Sequence, residues 1–334
     1  MTGSCTHSTP GAHAAGPLMA IVGPTAVGKT ALAVRLALDM NGEIVSADSR
    51  QVYRGMDIGT AKADPEERQA VPHHLIDIVA PDEPLTLVQY QEAAYGAIDD
   101  ILARGRAPLL VGGTGLYVRA VVQGLGIPRV PPDAALRADL YRRAETEGHA
   151  ALHARLAEVD PPAASAIDAR NVRRVVRALE VYLQTGQPIS RLQQATPPPY
   201  RILQVGLTMD RVELYRRIDE RIDRMLAVGL VEEVRALLGL GYGLELPSMS
   251  GVGYRQVALY LQGEIDLAEA VRRVRHDTRR FVHQQYTWFR LNDPAIAWFD
   301  LQEEPEATCG AIARLVGEFL EKGVIPDACY EDGG

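Results

Sequence analysis

The chain has 334 residues, of which 47% are hydrophobic and 23% are charged, a composition typical of an ordinary globular protein with room for two domains. No apolar run approaches the roughly 20 residues that cross a bilayer, so the sequence predicts no association with a membrane. The net charge of −8 argues against a generally nucleic-acid-binding surface, but basic residues cluster in 170–191 and 272–290 and can form a local basic face.

The two ends of the chain carry little structural pattern. Residues 1–16 are small and polar and lack the basic start and the apolar stretch of a signal peptide, which predicts a disordered leader on a cytoplasmic protein. We likewise expect a flexible tail at 323–334. The three cysteines, Cys5, Cys309 and Cys329, lack the spacing of a metal site or a disulfide framework, which favours free thiols in a reducing compartment.

Strands and helices alternate over the first part of the chain. Apolar runs predict buried strands at 18–22, 43–47, 74–79 and the start of 107–122. Helices are predicted at 29–40, after a cap at Thr86, and at the end of 107–122. This alternation is typical of a parallel α/β sheet that binds its ligand at the carboxyl ends of the strands.

The pattern changes near residue 123. A Gly- and Pro-rich connection leads into 133–196, which predicts helices and no strand, and a Pro-rich stretch at 196–200 closes this part of the chain. We therefore predict an all-helical insertion domain at 123–200. The core domain is then expected to be discontinuous and to comprise 17–122 and 201–322.

The sheet resumes with a predicted strand at 202–209, and Asp210 and Glu213 predict a capping box for the helix that follows. A long helix near 264–290 and an amphipathic helix at about 305–322 complete the core domain. The elements together predict an α/β fold: a P-loop NTPase-like parallel sheet flanked by helices, with an all-helical insertion domain.

The run "GPTAVGKT" matches G-x-x-x-x-G-K-[ST], follows a predicted strand and opens a predicted helix. Its glycines allow backbone N–H groups to converge on an anion, and the helix N-terminus adds a partial positive charge. Lys29 can reach terminal phosphate oxygens, and the Thr30 hydroxyl can ligate Mg²⁺. The predicted phosphate-binding residues are Gly23, Pro24, Thr25, Ala26, Val27, Gly28, Lys29 and Thr30.

The loop alone does not identify the reaction. The sequence contains no N-K-x-D motif for reading guanine, and the best candidate strand for a motor or transport ATPase, "PLLVGG", ends in glycines where such a strand should end in Asp. A small-molecule kinase and a nucleotide-driven RNA-binding switch both remain open at this point.

Three further motifs place polar residues where this sheet is expected to bind its ligand. Asp48 follows the second predicted strand within "ADSRQVYRGMDIGTAK", Thr114 follows a later strand within "GGTGLY", and Arg255 ends the Gly-rich turn of "SGVGYRQ". Each motif taken singly has an ordinary structural explanation as a cap or a tight turn.

Further runs accompany these motifs, namely "PHHLIDI", "RALEVY", "YLQGEI" and "TRRFVHQQYTWFR". In this order, and over about residues 18–300, the set resembles the bacterial tRNA dimethylallyltransferase family, also called tRNA isopentenyltransferases. The resemblance implies that a dimethylallyl group passes from dimethylallyl diphosphate to the exocyclic amine of the adenine 3′-adjacent to the anticodon, in tRNAs that read codons beginning with U. It also implies that the loop holds the departing diphosphate and does not cleave ATP.

The resemblance implies a role for individual residues. Asp48 is expected to be the general base, Thr114 to position the donor or the amine, Thr30 to bind Mg²⁺, and Arg217 to contact diphosphate. The expected tRNA contacts are Asp48, Ser49, Arg50, Gln51, Arg173, Arg174, Arg177, Gly253, Tyr254, Arg255, Gln256, Arg279 and Arg280. A flipped adenine of the anticodon stem-loop would enter the site, and a monomer is expected to suffice.

One motif departs from the family pattern. The family usually has two basic residues before the Gln of its last motif, whereas this chain has His283 and Gln284 before Gln285. The lost charges predict a lower tRNA affinity and a flatter dependence of that affinity on salt, and nearby arginines, Arg290 among them, can compensate.

Overall fold

The structure is a computed structural model that describes residues 16–302 and 304–322 of the chain. Its contacts divide the chain into two compact units, of which the second comprises 86–91 and 119–198 and the first comprises the remainder. The predicted tail at 323–334 lies outside the described residues, as does the predicted leader except for Gly16, which belongs to the first strand.

Six strands form a single sheet in the first unit. They are β1 Gly16–Val22, β2 Gly42–Ser46, β3 His73–His74, β4 Ala107–Val111, β5 Tyr200–Thr208 and β6 Ile296–Asp300. Their order across the sheet is β3-β2-β4-β1-β5-β6, and every neighbouring pair is parallel. The predicted parallel α/β architecture is thereby confirmed.

The described residues also form fourteen α-helices and a short 3₁₀ turn at Ser248–Ser250. In chain order the helices are α1 Lys29–Asp39, α2 Pro65–Ala70, α3 Leu87–Ala103, α4 Gly115–Val122, α5 Ala134–Glu147, α6 His149–Val159, α7 Pro161–Ala166, α8 Val172–Thr185, α9 Ile189–Leu192, α10 Arg211–Ala227, α11 Leu230–Gly239, α12 Tyr254–Leu261, α13 Leu267–Trp288 and α14 Pro305–Lys322. None of them combines the length and the apolar character needed to cross a bilayer.

The register of the central strands sets the position of the loops that follow them. Ile21 of β1 pairs with Val111 of β4, which in turn pairs with Ser46 of β2. The three strands therefore end side by side, as their burial on both faces of a parallel sheet requires. A Cβ atom at Gly112 would overlap the carbonyl oxygen of Ala47, so these strand ends approach more closely than any other residue type allows.

The second unit contains helices α5 to α9 and no strand, as the sequence predicts for this segment. Its apolar core includes Leu140, Leu156 and Val181. Within that core lies Glu180, whose buried carboxylate accepts hydrogen bonds from Arg137 and from the backbone N–H of Asp133.

Two predictions of local structure were wrong, and one strand was missed. The strand predicted at 74–79 is absent, since only His73–His74 pair with β2 and the chain then turns through positive φ angles of 62° at Leu75 and 58° at Asp77. β6 was not predicted at all, although residues 295–299, "AIAWF", form a continuous apolar run. The capping box before α10 is only half formed, because the backbone N–H of Asp210 donates to Gln302 instead of Glu213.

A buried carboxylate anchors the edge of the sheet. Glu43 in β2 is 1% exposed and accepts hydrogen bonds from Arg104, from Arg106 (2.8 Å) and from His74 (2.6 Å). These hydrogen bonds, above all those from Arg104, lower the pKa of Glu43 to about 2 against the burial that opposes ionisation. The ionised form is therefore the one that the fold stabilises.

We expect Glu43→Gln to lower the free energy of unfolding by about 2 kcal/mol at pH 7, because Arg104 and Arg106 lose the buried carboxylate to which they are hydrogen-bonded. Since the folded-state pKa lies below the unfolded value, the wild-type advantage should be complete above about pH 4.5 and disappear as the pH falls towards 2. Urea unfolding at several pH values measures this. Glu306→Gln, which removes an exposed pair with Arg35, is the control and should change stability by less than about 0.5 kcal/mol.

Candidate functional site

The loop between β1 and α1 has the backbone conformation of an anion cradle. Gly23, Ala26 and Gly28 have positive φ angles of 135°, 66° and 108°. Gly28 is the residue before α1, and no side chain caps the helix there. The first N–H groups of α1 are thus available to a phosphate at the positive end of the helix dipole.

Lys29 folds back over this loop. Its Nζ donates a hydrogen bond to the carbonyl oxygen of Pro24 at 2.6 Å. Burial and the nearby Arg221 guanidinium lower the pKa of Lys29 to about 7, while Asp48 acts in the opposite direction. A negatively charged ligand would therefore meet a lysine that has lost most of its stabilising solvent.

Asp48 lies two residues beyond β2 in a tight turn. Its Oδ1 accepts hydrogen bonds from the backbone N–H of Arg50 at 2.8 Å and of Gln51 at 3.4 Å. No hydrogen bond to its Oδ2 is found within 16–302 or 304–322. One carboxylate oxygen is held by the turn, and the other is free to accept a proton.

Thr114 ties the turn of Asp48 to the end of β4. Its Oγ1 accepts a hydrogen bond from the backbone N–H of Ser49 at 3.0 Å, and its own N–H donates to the carbonyl oxygen of Ala47 at 3.2 Å. The side chains of Asp48 and Thr114 line the same cavity. The structure thus brings together the two residues that the sequence analysis assigned to catalysis.

Two cavities of different character meet at Asp48. The larger one, of about 330 Å³, has an apolar side that includes Ile222 and Met225 of α10. The smaller one, of about 80 Å³, is lined by the phosphate-loop residues Lys29 and Thr30. Because Asp48 borders both cavities, a molecule with an apolar part and a phosphate part can occupy them with this carboxylate beside the junction.

Arginines of α10 line a broad groove of about 1220 Å³ on the outer side of the phosphate loop. Arg217, which the resemblance singled out, lines this groove and pairs with Glu213 at 2.9 Å. Arg221 lies closer to the loop, since its Nη1 donates to Thr25 Oγ1 at 3.3 Å and burial lowers its pKa. The sequence analysis missed Arg221, although its position one helical turn after Arg217 was a usable indication.

Gln285 of α13 was noted in the sequence as part of the last motif, but no role was assigned to it. Its buried side chain accepts a hydrogen bond from the backbone N–H of Thr25 at 2.9 Å and donates one to the carbonyl oxygen of Gly113 at 3.1 Å. Gln285 therefore joins the phosphate loop to the turn that carries Thr114. Its pairing depends on the packing of α13, which no local pattern reveals.

Several residues expected to contact tRNA are engaged inside the protein. Arg50 donates to the carbonyl oxygen of Ser248 at 3.2 Å and to Ser250 Oγ at 3.1 Å. Gln256 accepts from the backbone N–H of Gly253 at 2.9 Å and donates to Asp277 at 2.7 Å. The hydrogen bonds of these side chains therefore stabilise the protein around the site.

The arginines that were expected to contact tRNA divide into those with partners inside the protein and those that are exposed. Arg279 pairs with Asp219 at 2.6 Å and lies 5.0 Å from the ring centroid of Tyr215, and Arg177 pairs with Glu180. The exposed arginines are Arg173 and Arg174 in the second unit and Arg255 and Arg280 in the first. These four exposed arginines remain the predicted basic surface for tRNA.

The substituted motif on α13 makes contacts of its own. His283 Nε2 lies 3.0 Å from both Arg211 Nη2 and Tyr215 Oη, and Gln284 is an exposed residue that lines the larger cavity. A histidine at this position is therefore packed against α10.

The donor set at the phosphate loop suits Mg²⁺. Within the described ranges, no cluster of three or more His, Cys, Asp or Glu residues could hold a metal by itself. Thr30, Ser46 and Asp48 line the smaller cavity and offer two hydroxyl groups and one carboxylate. Magnesium commonly binds through few protein oxygens while phosphates and water complete its shell, so these residues fit it.

Comparison with known proteins gives a consistent result. The family model described as IPP transferase matches residues 51–292, and a model described as isopentenyl transferase matches 16–77. A relative from Roseiflexus sp. (strain RS-1) named tRNA dimethylallyltransferase is 57% identical over 293 residues, which are 86% of this chain and 96% of that protein.

Two solved structures are also similar to this chain. The tRNA isopentenylpyrophosphate transferase of Bacillus halodurans is 42% identical with a TM-score of 0.69, over 92% of this chain and 97% of that one. A eukaryotic dimethylallyltransferase acting on tRNA is 25% identical with a TM-score of 0.79, over 95% of this chain and 83% of that one.

We expect Arg221→Gln to weaken the binding of inorganic pyrophosphate roughly 10- to 100-fold, because a buried guanidinium next to the loop loses its charge-assisted contacts. Arg217→Gln should weaken binding less, since Arg217 already pairs with Glu213. Calorimetric titration measures both. The exposed Arg216, paired with Glu213 and Glu220, provides the control Arg216→Gln, and an equal loss in that variant would show an effect of net charge only.

The lowered pKa of Lys29 predicts proton uptake with the anion. At pH 8 an amine of pKa about 7 is mostly neutral, and a bound polyphosphate favours its charged form, so binding should take up close to one proton; at pH 6 the uptake should be small. Magnesium-free calorimetry in buffers of different ionisation enthalpy measures the difference. In Lys29→Met, the proton uptake on binding should be that of the anion alone. An uptake equal to that of the wild type would contradict the assignment of the proton to Lys29.

Proposed function

The chain belongs to the IPP transferase family, and from that premise we propose that it acts as a tRNA dimethylallyltransferase. It transfers the dimethylallyl group of dimethylallyl diphosphate to the exocyclic amine of the adenine that is 3′-adjacent to the anticodon, in tRNAs that read codons beginning with U. Diphosphate leaves. The observation that best supports the proposal is that Asp48 borders both an apolar cavity and a phosphate-loop cavity.

Departure of the leaving group depends on cations at the loop. An allylic diphosphate ionises readily once its leaving group is neutralised, and Lys29, Arg221 and the first amides of α1 supply positive charge on that side. Magnesium, held by Thr30 with Asp48 nearby, would add Lewis-acid stabilisation of the departing phosphate oxygens. The apolar side of the larger cavity, which includes Ile222 and Met225, would contact the allylic group.

The acceptor amine needs a proton acceptor, because its lone pair is delocalised into the adenine ring. Asp48 is suited to this role, since Oδ1 is fixed by backbone N–H groups and Oδ2 has no such partner among the described residues. Thr114 is held by Ser49 beside this carboxylate and positions the reacting groups. The adenine must leave the anticodon-loop stack to reach the site.

The proposed macromolecular partner is the anticodon stem-loop of tRNA. Arg255 and Arg280 in the first unit and Arg173 and Arg174 in the second are exposed and can contact phosphates. We expect a monomer to suffice, and we expect the protein to act in the cytoplasm with its tRNA. A small-molecule kinase is not favoured, since the relatives carry the transferase name.

The decisive experiment incubates the protein with dimethylallyl diphosphate, Mg²⁺ and an unmodified tRNA, followed by chromatography for prenylated adenosine. We expect Asp48→Asn to lower kcat about 100-fold or more with tRNA affinity nearly unchanged, because Asn preserves the turn but accepts no proton. Asp39→Asn, at an exposed residue of α1, is the control. Full activity of Asp48→Asn would remove Asp48 from its role, and ATP-dependent release of ADP without prenylation would favour the kinase.

A further inference from the structure

The segment 56–62, "MDIGTAK", has no role in the chemistry described so far, although it belongs to one of the motifs that carried the resemblance. Gly59 and Thr60 of this segment line the larger cavity together with Asp48. Its irregular backbone lies outside every strand and helix. Something other than a sheet or helix must therefore hold it in place.

Glu233, in the first turn of α11, holds this segment by its backbone. One carboxylate oxygen accepts hydrogen bonds from the N–H groups of Asp57 at 2.9 Å and Ile58 at 2.7 Å, and the other accepts from the N–H of Gly59 at 3.1 Å. Three consecutive amides thus converge on a single carboxylate, an arrangement that favours a negatively charged acceptor.

Tyr254 completes the contact from α12. Its hydroxyl donates to Glu233 at 2.6 Å, and burial raises its pKa, which keeps it a proton donor. A Cβ atom at Gly59 would overlap the Tyr254 ring, so the ring and the backbone of the segment lie in direct contact. Tyr254, expected from the resemblance to contact tRNA, is 1% exposed and serves this contact instead.

Segment 56–62 is also hydrogen-bonded, through Gln51, to the turn that carries Asp48. The carbonyl oxygens of Thr60 and Ala61 both lie 3.3 Å from Gln51 Nε2, which donates to them. Gln51 Oε1 accepts from Ser46 Oγ at 3.0 Å, and the Gln51 backbone N–H reaches Asp48 Oδ1 at 3.4 Å. Glu233 is therefore linked to the carboxylate of Asp48 by hydrogen bonds at both ends of segment 56–62 and by Gln51.

We propose that Glu233 is a positioning residue for the transfer reaction: it fixes segment 56–62 and, through Gln51, the orientation of Asp48 and the wall of the larger cavity. The proposal rests on the proposed function, since it assigns Glu233 to the site at which the adenine reacts. Glu233 acts on the reaction geometry and not on the phosphate loop, because Lys29, Thr25 and Arg221 make none of their hydrogen bonds to it.

Glu233→Gln tests this with little change in shape. A glutamine can present one oxygen to the segment, but its NH₂ group then faces a backbone N–H, and two donors cannot pair. The segment should stay folded in this variant, because Lys62 holds it independently through Asp57 at 2.7 Å and the carbonyl oxygen of Tyr53 at 2.6 Å. The matched control is Glu232→Gln, at an exposed neighbour on the same turn of α11.

At saturating substrates we expect Glu233→Gln to lower kcat about 10- to 100-fold, the effect of a misplacement of roughly 1 Å. The dissociation constant for inorganic pyrophosphate should stay within about twofold, and amide hydrogen exchange at Asp57, Ile58 and Gly59 should become at least about tenfold faster. Tyr254→Phe, which keeps the ring on Gly59 and removes one hydrogen bond, should give a smaller loss in kcat. Glu232→Gln should match the wild type in all three measurements.

Two results would overturn the inference. The first is a Glu233→Gln variant whose amides exchange faster while kcat stays within twofold of the wild type, since the segment would then not set the reaction geometry. The second is a loss of pyrophosphate affinity as large as the loss in kcat, which would place the effect at the phosphate loop. A wild-type protein that prenylates no tRNA would instead reject the proposed function, which separates the two failures.

Discussion

The site depends on one steric constraint, the close approach of three parallel strand ends. β1, β2 and β4 finish in register, and the glycines that follow β1 and β4, Gly23 and Gly112, leave no room for a Cβ atom against the neighbouring backbone. This contact delivers the phosphate loop, the turn of Asp48 and the turn of Thr114 to a single edge of the sheet. A larger residue at Gly112 would separate these turns even if every catalytic side chain were retained, because it would displace the backbone that carries them.

Charge balance at this edge follows from the same geometry. Lys29 and Arg221 are both forced out of solvent near the loop, and Asp48 is the anion that offsets them. Both basic groups therefore lose solvation beside the loop, which lowers the pKa of each. A ligand with several phosphate oxygens would favour their charged forms, whereas a neutral molecule of the same shape would not.

Much of the fold and part of the site could be predicted from the sequence, since these features are encoded locally. The apolar strands, the phosphate loop and Asp48 lie in short contiguous patterns, and the sheet places them together by topology alone. β6 was overlooked although its sequence contains the apolar run "AIAWF", and the strand at 74–79 was wrong because positive φ at Leu75 and Asp77 leaves no trace in hydrophobicity. The roles of Arg221 and Gln285 were missed for another reason: their partners lie 196 and 260 residues away in the chain.

The hydrogen bonds of Gln285 have a consequence for the order in which the protein is made. The phosphate loop is synthesised before α13, so the N–H of Thr25 finds its partner only when Gln285, 260 residues later, has been added. β1 likewise lacks one of its two neighbouring strands until β5 has been synthesised. A nascent chain that stops within the helical unit thus carries the complete loop sequence, but the loop lacks the hydrogen-bond partner that α13 supplies.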